Sequence, residues 1–159
     1  MAKVPVFYSF HFDNDVMRVQ QIRQMGMIDG NEPVSENDWE TVKRKGNPAI
    51  EKWIDDNMKY KRCVIVLIGT DTHKRPWVIH EIKKAWNDGR GLLGIHIHNL
   101  NCPNNRTGSK GKNPFDQFTF KKNGVVVAPP VYDPPASNAY SHIKDNLAAW
   151  VDGAIAMRK

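Results

Sequence analysis

The sequence has few of the features that mark membrane-spanning, secreted or disulfide-stabilised proteins. Its longest apolar run, residues 63–68, is far shorter than the roughly 20 residues that a helix needs to cross a bilayer. The N-terminal segment has no apolar core and no small-residue cleavage site, so we expect no secretory signal. Two cysteines, Cys63 and Cys102, are too few for a disulfide framework or a four-thiolate zinc site. We therefore expect a protein of the reducing cytoplasm with no membrane partner.

Several common catalytic motifs are also missing. No G-x-G-x-x-G follows a predicted strand, which excludes the dinucleotide fingerprint of a Rossmann dehydrogenase. Gly111 and Lys112 are followed by Asn113 and lack the upstream glycine of a phosphate-binding P-loop. No G-x-S-x-G motif is present, so the nucleophile turn of an α/β-hydrolase is absent. Any nucleotide chemistry must therefore use a different arrangement.

The residues that are present indicate a globular chain with a basic surface. Of the 159 residues, 40% are hydrophobic and 25% are charged, a balance typical of one folded domain spanning residues 1–159. The net charge of +6 favours anionic partners such as nucleotide phosphates, nucleic acid or an acidic surface. The basic residues are scattered in small groups, however, which is more typical of a solvated surface, so nucleic acid is the less favoured partner.

Hydrophobic periodicity predicts alternating strands and helices. The predicted strands are residues 4–10, 63–68, 91–97 and 124–128. The predicted helices begin near residues 13–15, 47–48, 76 and 138, and the last of them runs to about 157. We expect long loops at residues 26–38 and 99–118, and we expect the proline pairs at 129–130 and 134–135 to prevent regular structure.

This alternation predicts an α/β three-layer sandwich with a central, mostly parallel sheet. The run at residues 63–68 is apolar without alternation, as in a strand that is covered on both faces. In such folds ligands bind outside the carboxyl ends of the strands. Those ends are residues 9–13, 69–74 and 98–101, and we expect the functional site there.

Three side chains near these ends have both functional and structural interpretations. His96 and His98 alternate along a predicted strand and could share a metal, but no third ligand is evident and a structural role is favoured. Cys63 begins a buried strand and is interpreted as a packed thiol, and Cys102 as an exposed loop residue.

Trp77 and Glu81 are spaced four residues apart on a predicted helix. This spacing puts the indole and the carboxylate on one face, while Val78, Ile82 and Ala85 form another. A carboxylate among apolar groups can stabilise a developing sugar cation at a glycosidic centre. The alternative is an exposed pair of Glu81 with Lys84, and the spacing alone favours that alternative.

An ordered set of short segments resembles TIR domains, specifically the TIR-like proteins of bacterial Thoeris anti-phage defence. The segments are 6–12 (VFYSFHF), 38–40 (DWE), 63–69 (CVIVLIG), 75–82 (RPWVIHEI), 94–97 (GIHI) and 112–116 (KNPFD). The resemblance covers about the first 120 residues. It implies a flavodoxin-like TIR fold and cleavage of the nicotinamide–ribose bond of NAD, which is the substrate, so no further cofactor is expected.

The family's cyclases join ADP-ribose to itself and release a nucleotide that activates a separate effector. Glu81 falls on the family's catalytic glutamate, in W-x-x-x-E, so the resemblance implies that it holds the ribose hydroxyls and stabilises the oxocarbenium-like transition state. A ribose or adenine group of the same molecule could then attack the anomeric carbon, and water would give ADP-ribose.

The resemblance also implies residues that bind the substrate. Ser9, Phe10 and His11 would line the pocket, with Thr70 and Trp77 beside them. Asp38 and Trp39 lie in the loop that shapes the site in TIR domains. The alternatives are a small buried strand residue for Ser9 and a core aromatic for Trp39.

Two other functions remain open at this stage. The chain could be a non-catalytic TIR module that assembles with other TIR domains, or, less favoured, a nucleic-acid-binding domain. For the enzyme, the resemblance further implies assembly into homo-oligomers and activation by a phage trigger as conditions of activity in some members.

Overall fold

The computed structural model describes residues 4–26, 29–30, 44–100 and 109–158. Asp38, Trp39, Cys102, most of the predicted loop 26–38 and residues 101–108 of the predicted loop 99–118 lie outside the described residues.

The described residues form seven strands in two sheets. The strands are β1 (Pro5–Ser9), β2 (Asp29–Gly30), β3 (Cys63–Ile68), β4 (Gly91–His96), β5 (Phe120–Lys122), β6 (Val125–Val127) and β7 (Val131–Tyr132). The larger sheet has the order β2-β1-β3-β4-β7, and all of its pairs are parallel. In this order β2 forms one edge of the sheet and β1 lies between β2 and β3. The same strand order is found in doubly wound, flavodoxin-like folds.

Four long helices of the described residues cover the two faces of this sheet. They are α1 (Phe12–Gln24), α2 (Asn47–Met58), α3 (Pro76–Asn87) and α4 (Ala139–Ala156). One apolar cluster joins the sheet to α1 and α4 through residues such as Ile22 and Leu147. A second joins the other face to α2 and α3 through Ile54 and Ile82. The predicted three-layer α/β sandwich is therefore confirmed. No helix among the described residues is long and apolar enough to cross a membrane.

The two central strands explain why the sequence pattern was informative. All six residues of β3 and all six of β4 are buried, as expected for parallel strands with helices on both faces. The helices α2 and α3 both carry proline in the first turn, where the missing N–H would have no intrahelical partner.

The region after β4 differs from its prediction in two ways. The predicted strand 124–128 is present as β6, but it pairs antiparallel with β5 in a separate hairpin, closed by Asn123 and Gly124 at positive φ, an Asn-Gly pair typical of tight hairpins. The expectation that the prolines prevent regular structure was wrong for Val131–Tyr132, which forms the edge strand β7. Pro130 lacks an N–H but still accepts a hydrogen bond from Gly94 through its carbonyl group.

Candidate active site

The last residue of β1, Ser9, lies at the carboxyl end of the sheet on the side of α2 and α3. Phe7, two residues earlier, packs in the α2–α3 cluster, and residues two apart along a strand share a face. Ser9 is fully buried. A small hydroxyl residue at this point leaves room above the strand end for a larger group from the covering helix.

That group is Glu81 of α3. The buried residues of this helix are Val78, Glu81, Ile82 and Ala85, which recur at the spacing of a single helix face. The expectation that Glu81 lies on a different face from Val78 and Ile82 was therefore wrong. Its side chain points toward the sheet with only 7% of its surface exposed.

Glu81 and Ser9 are joined by a buried hydrogen bond. The Ser9 hydroxyl donates to Oε1 of Glu81 over 2.8 Å, although the residues are 72 positions apart in the chain. Burial raises the pKa of Glu81 to about 8, and the hydrogen bond from Ser9 opposes that rise. A carboxyl group with a pKa near neutrality changes its protonation state in response to a nearby charge, which is a common property of functional sites.

The alternative partner for Glu81, Lys84, is occupied elsewhere. Its ammonium group pairs with Asp88 over 3.1 Å and with Asp55 of α2 over 3.4 Å. Lys84 therefore ties α3 to α2 on the outer side of the helix. The surface pair that the spacing favoured does not form, because the Glu81 carboxylate lies on the buried face instead.

Trp77 precedes Glu81 by about one turn of α3. It is half-buried and packs against the α2–α3 cluster, and its ring meets His80 edge-on with centroids 5.5 Å apart. The indole thus lies at the start of the helix that carries Glu81, at the carboxyl end of the sheet.

The structure separates Phe10 from Ser9 and places His11 at the start of α1. Phe10 packs against the cluster under α1 and α4, on the opposite face of the sheet from the Ser9 and Glu81 side chains. His11 stands at the N-cap position of α1. Side-chain alternation along β1 would have predicted that Phe10 points away from Ser9.

Thr70 anchors a segment that crosses the end of β3. We call residues 109–117 the strap. The Thr70 hydroxyl donates to the carbonyl oxygen of Ser109 over 2.8 Å, and the Gln117 amide donates to the carbonyl of His73 over 2.9 Å. A β-carbon on Gly111 would overlap the carbonyl oxygen of Gly69, so only glycine allows this close approach. The strap is most of the described part of the predicted loop 99–118, which also includes residues 99–100 and 118.

A buried ion pair supports the same end of the sheet from the other side. Arg18 of α1 contacts the Asp15 carboxylate over 3.0 Å and donates to the Leu100 carbonyl over 2.9 Å. The Asp15 carboxylate lies directly against Gly69, where a β-carbon would collide with it. These residues tie α1 to the ends of β3 and β4. The sequence analysis missed them because it took residues 13–15 only as the start of a helix.

The predicted histidine pair is also at this end. His96 is the last residue of β4, and its ring centroid is 5.8 Å from that of His98. Among the described residues, no group of three or more His, Cys, Asp or Glu side chains could hold a metal ion.

Cys63 is buried, and burial raises the pKa of its thiol to about 12, which makes it unreactive.

Comparison with known proteins adds independent information on the chain. A family model described as "Thoeris protein ThsB, TIR-like domain" matches residues 7–102, more than half of the chain and a range that includes Ser9 and Glu81. A curated protein of Bacillus cereus (strain MSX-D12), "Putative cyclic ADP-D-ribose synthase ThsB1", is 32% identical over 126 residues. The alignment covers 76% of this chain and 65% of that relative, so the chain spans just under two thirds of the relative's length.

Proposed function

The chain belongs to the TIR-like domain family of the Thoeris protein ThsB, and on that premise we propose that it is an enzyme that cleaves the nicotinamide–ribose bond of NAD and cyclises the ADP-ribose. The observation that carries this proposal is the buried Ser9–Glu81 pair at the carboxyl end of the sheet. The printed name of the 32% identical relative, a cyclic ADP-D-ribose synthase, supports the same product class.

The chemistry requires a negative charge beside the anomeric carbon. When the glycosidic C–N bond breaks, its electron pair leaves with nicotinamide, which departs neutral and needs no proton. Positive charge then develops on the ribose, where the Glu81 carboxylate stabilises it. The low-dielectric surroundings that raise the pKa of Glu81 also strengthen this attraction.

The substrate itself favours the charged form of Glu81. Nicotinamide in NAD carries a positive charge, and a nearby opposite charge lowers the pKa of a carboxyl group. Glu81 therefore loses its proton as NAD binds, and the Ser9 hydroxyl holds the resulting carboxylate in position. In the second step a hydroxyl or adenine nitrogen of the same molecule bonds to the anomeric carbon. An attacking hydroxyl gives its proton to Glu81, and water in its place would yield ADP-ribose.

The remaining predicted residues would bind other parts of the substrate. Trp77 would flank the nicotinamide-ribose end, and Thr70 would act through the strap. Phe10, His11, Asp38 and Trp39 keep the substrate-binding roles that the family resemblance implies, although Phe10 faces away from Ser9 and residues 38 and 39 lie outside the described part of the chain.

The proposal extends to how the product is used. One TIR-like domain over residues 1–159 would act in the cytoplasm and release a diffusible nucleotide to a separate effector. Self-association and a phage-derived trigger would control its activity. No cofactor beyond the NAD substrate is needed for the two steps above.

The decisive experiment follows the products of NAD. The purified protein is incubated with NAD, and nicotinamide and nucleotides are followed by chromatography with mass detection. We expect nicotinamide together with a species at the mass of ADP-ribose less water, and we expect Glu81→Gln to abolish both. Glu51→Gln, at an exposed position of α2, is the matched control and should retain activity.

The other outcomes are equally informative. Free ADP-ribose without the cyclic species would make the protein a hydrolase. If NAD stays intact with the purified protein and also in lysate from phage-infected cells, the enzymatic proposal is wrong and a non-catalytic assembly module replaces it.

A further inference from the structure

A second polar cluster lies at the same edge of the sheet, away from Glu81. We call His96, His98, Lys110 and Asp133 the histidine cluster. His96 ends β4, His98 follows it, Lys110 belongs to the strap, and Asp133 follows β7. The Lys110 ammonium pairs with the Asp133 carboxylate over 2.8 Å. Neither the Ser9–Glu81 pair nor the proposed bond cleavage uses these residues.

His96 faces the same side of the sheet as Ser9. A β-carbon on Gly94, two residues earlier in β4, would contact Ile68 and Phe115, both of which belong to the α2–α3 cluster. Because residues two apart share a face, His96 points to that side as well. β3 lies between β1 and β4, so about 10 Å, or two strand spacings, separate the Ser9 and His96 strands.

The imidazoles of His96 and His98 contain polar atoms that no described residue satisfies. Nδ1 of His96 and Nδ1 of His98 are both buried and have no hydrogen-bond partner among the described residues. The His96 residue as a whole is only 5% exposed. Buried polar atoms in folded proteins nearly always have a partner, and exceptions often mark a position for a water molecule or ligand.

We propose that the histidine cluster is the subsite for the diphosphate group of the dinucleotide. This inference rests on the proposed function and names the part of the substrate that these residues hold. The diphosphate is one ribose away from the bond that Glu81 acts on, so a substrate with its nicotinamide-ribose at Glu81 would extend along the strand ends toward His96. Imidazole N–H groups and a lysine ammonium are donors that suit phosphate oxygens.

The charges around the imidazoles are nearly balanced before a ligand arrives. The pKa values of His96 and His98 are both lowered, chiefly by burial, so the rings are neutral near pH 7. The charged groups that face them are Asp133, which raises both pKa values, Lys110, which lowers both, and Arg18, which lowers that of His98. The exposed Lys110–Asp133 pair contributes little net stability, so Lys110 can exchange Asp133 for a phosphate.

A bound diphosphate would change this balance in a measurable direction. Its negative charge favours the protonated imidazoles, so the apparent pKa of His96 and of His98 should rise when it binds. By linkage, binding should strengthen as the pH falls through those pKa values. Asp133 opposes the ligand, because its carboxylate repels phosphate and holds Lys110.

The first experiment is a titration of the full-length protein followed by the NMR signals of its imidazoles, assigned through His96→Gln and His98→Gln. The probes are ADP-ribose, inorganic pyrophosphate and nicotinamide riboside, which lacks phosphate. We expect the first two to shift both signals and raise both pKa values, and the third to shift neither. Unchanged signals with ADP-ribose and pyrophosphate would overturn the subsite.

Variants separate a binding role from a structural one. We expect His96→Gln and Lys110→Gln each to weaken ADP-ribose binding about tenfold, the effect of losing one charged hydrogen bond. We expect Asp133→Asn to tighten binding, because it removes the repelling carboxylate and frees Lys110. Lys144→Gln, at an exposed position of α4, is the matched control. If Asp133→Asn weakens binding, or leaves it unchanged, the subsite is wrong.

The same variants distinguish this inference from the proposed function. For NAD turnover, we expect His96→Gln to raise KM far more than it lowers kcat, whereas Glu81→Gln abolishes nicotinamide release. If ADP-ribose shifts the histidine signals but wild-type protein never releases nicotinamide, the subsite stands and the enzymatic proposal fails. If nicotinamide is released with an unchanged KM in His96→Gln, the enzyme stands and the subsite fails.

Discussion

Two groups of polar side chains lie at the carboxyl edge of one sheet, and their surroundings differ in kind. Glu81 is buried on the apolar face of α3 with one hydroxyl partner, Ser9. The histidine cluster combines the buried His96 and the partly buried His98 with an exposed ion pair. The first arrangement leaves a single carboxyl group with a strongly raised pKa. The second arrangement holds several hydrogen-bond donors, and the opposite charges of Lys110 and Asp133 nearly cancel.

The difference shows how one sheet edge can divide the work of a reaction. Stabilising a developing cation needs one charge in a low-dielectric setting, where its effect is largest. Holding a diphosphate needs several donors with room for oxygen atoms. The strap crosses the end of β3, the strand between those of Ser9 and His96. Ser109 and Gly111 contact Thr70 and Gly69 there and fix the position of Lys110 between them.

The largest expected effect separates the two regions by activity. Glu81→Gln removes the charge but keeps the shape, and we expect nicotinamide release to fall on the order of a thousandfold, as when a transition-state charge stabiliser is lost. Single-turnover release of nicotinamide measures this directly. A loss no greater than that of His96→Gln would remove the distinction between the two regions.

The second expected effect concerns stability against pH. Glu81 has a folded-state pKa of about 8 against an ordinary 4.5, so between these values the folded protein binds more protons than the unfolded chain. Its contribution to the unfolding free energy is therefore fully present below about pH 4.5 and falls as the pH rises to about 8, by up to about 1.4 kcal/mol per pH unit.

Urea unfolding of the wild-type protein and of Glu81→Gln across that window measures the effect. We expect the variant to gain stability relative to wild type as the pH rises. Parallel curves for the two proteins would mean that Glu81 ionises normally and that its surroundings are not apolar.

The sequence predicted most of the strands and helices but few of the side-chain contacts between them. Unalternating apolar runs identified β3 and β4, and prolines marked the starts of α2 and α3, because these signals are local. The spacing of Glu81 did not reveal that it lies on the buried face, since its partner Ser9 is 72 residues away. Likewise β7, the strap and the contacts of Asp15 with Gly69 and of Arg18 with Leu100 are long-range, and no local pattern records them.

A third prediction displaces the strap, which carries Lys110 of the histidine cluster. Gly111→Ala places a methyl group against the Gly69 carbonyl, and we expect a loss of about 1–3 kcal/mol in unfolding free energy, typical of overpacking. Because the strap must shift, the KM for NAD should rise as well. Gly153→Ala lies inside α4, where a β-carbon meets nothing within 4 Å, and is the control. It should not lower the unfolding free energy, since alanine in a helix is more favourable than glycine by about 0.5–1 kcal/mol, and it should leave the KM unchanged.

The smallest expected effect tests what the Ser9 hydrogen bond contributes to the properties of Glu81. Ser9→Ala removes the hydroxyl whose hydrogen bond lowers the pKa of Glu81, so that pKa should rise further. If the carboxylate is the active form, the rising limb of kcat/KM against pH moves to higher pH, and activity near pH 7 falls about tenfold, the effect of one charged hydrogen bond.

A pH profile distinguishes this effect from simple damage to the site. Above the shifted pKa, Glu81 is ionised in both proteins, and we expect most of the lost activity to return. Ser141→Ala, at an exposed position of α4, should leave the profile unchanged. An equal loss at every pH would mean that Ser9 positions the substrate or fills space. The pKa of Glu81 would then be set by burial alone, without a contribution from the Ser9 hydrogen bond.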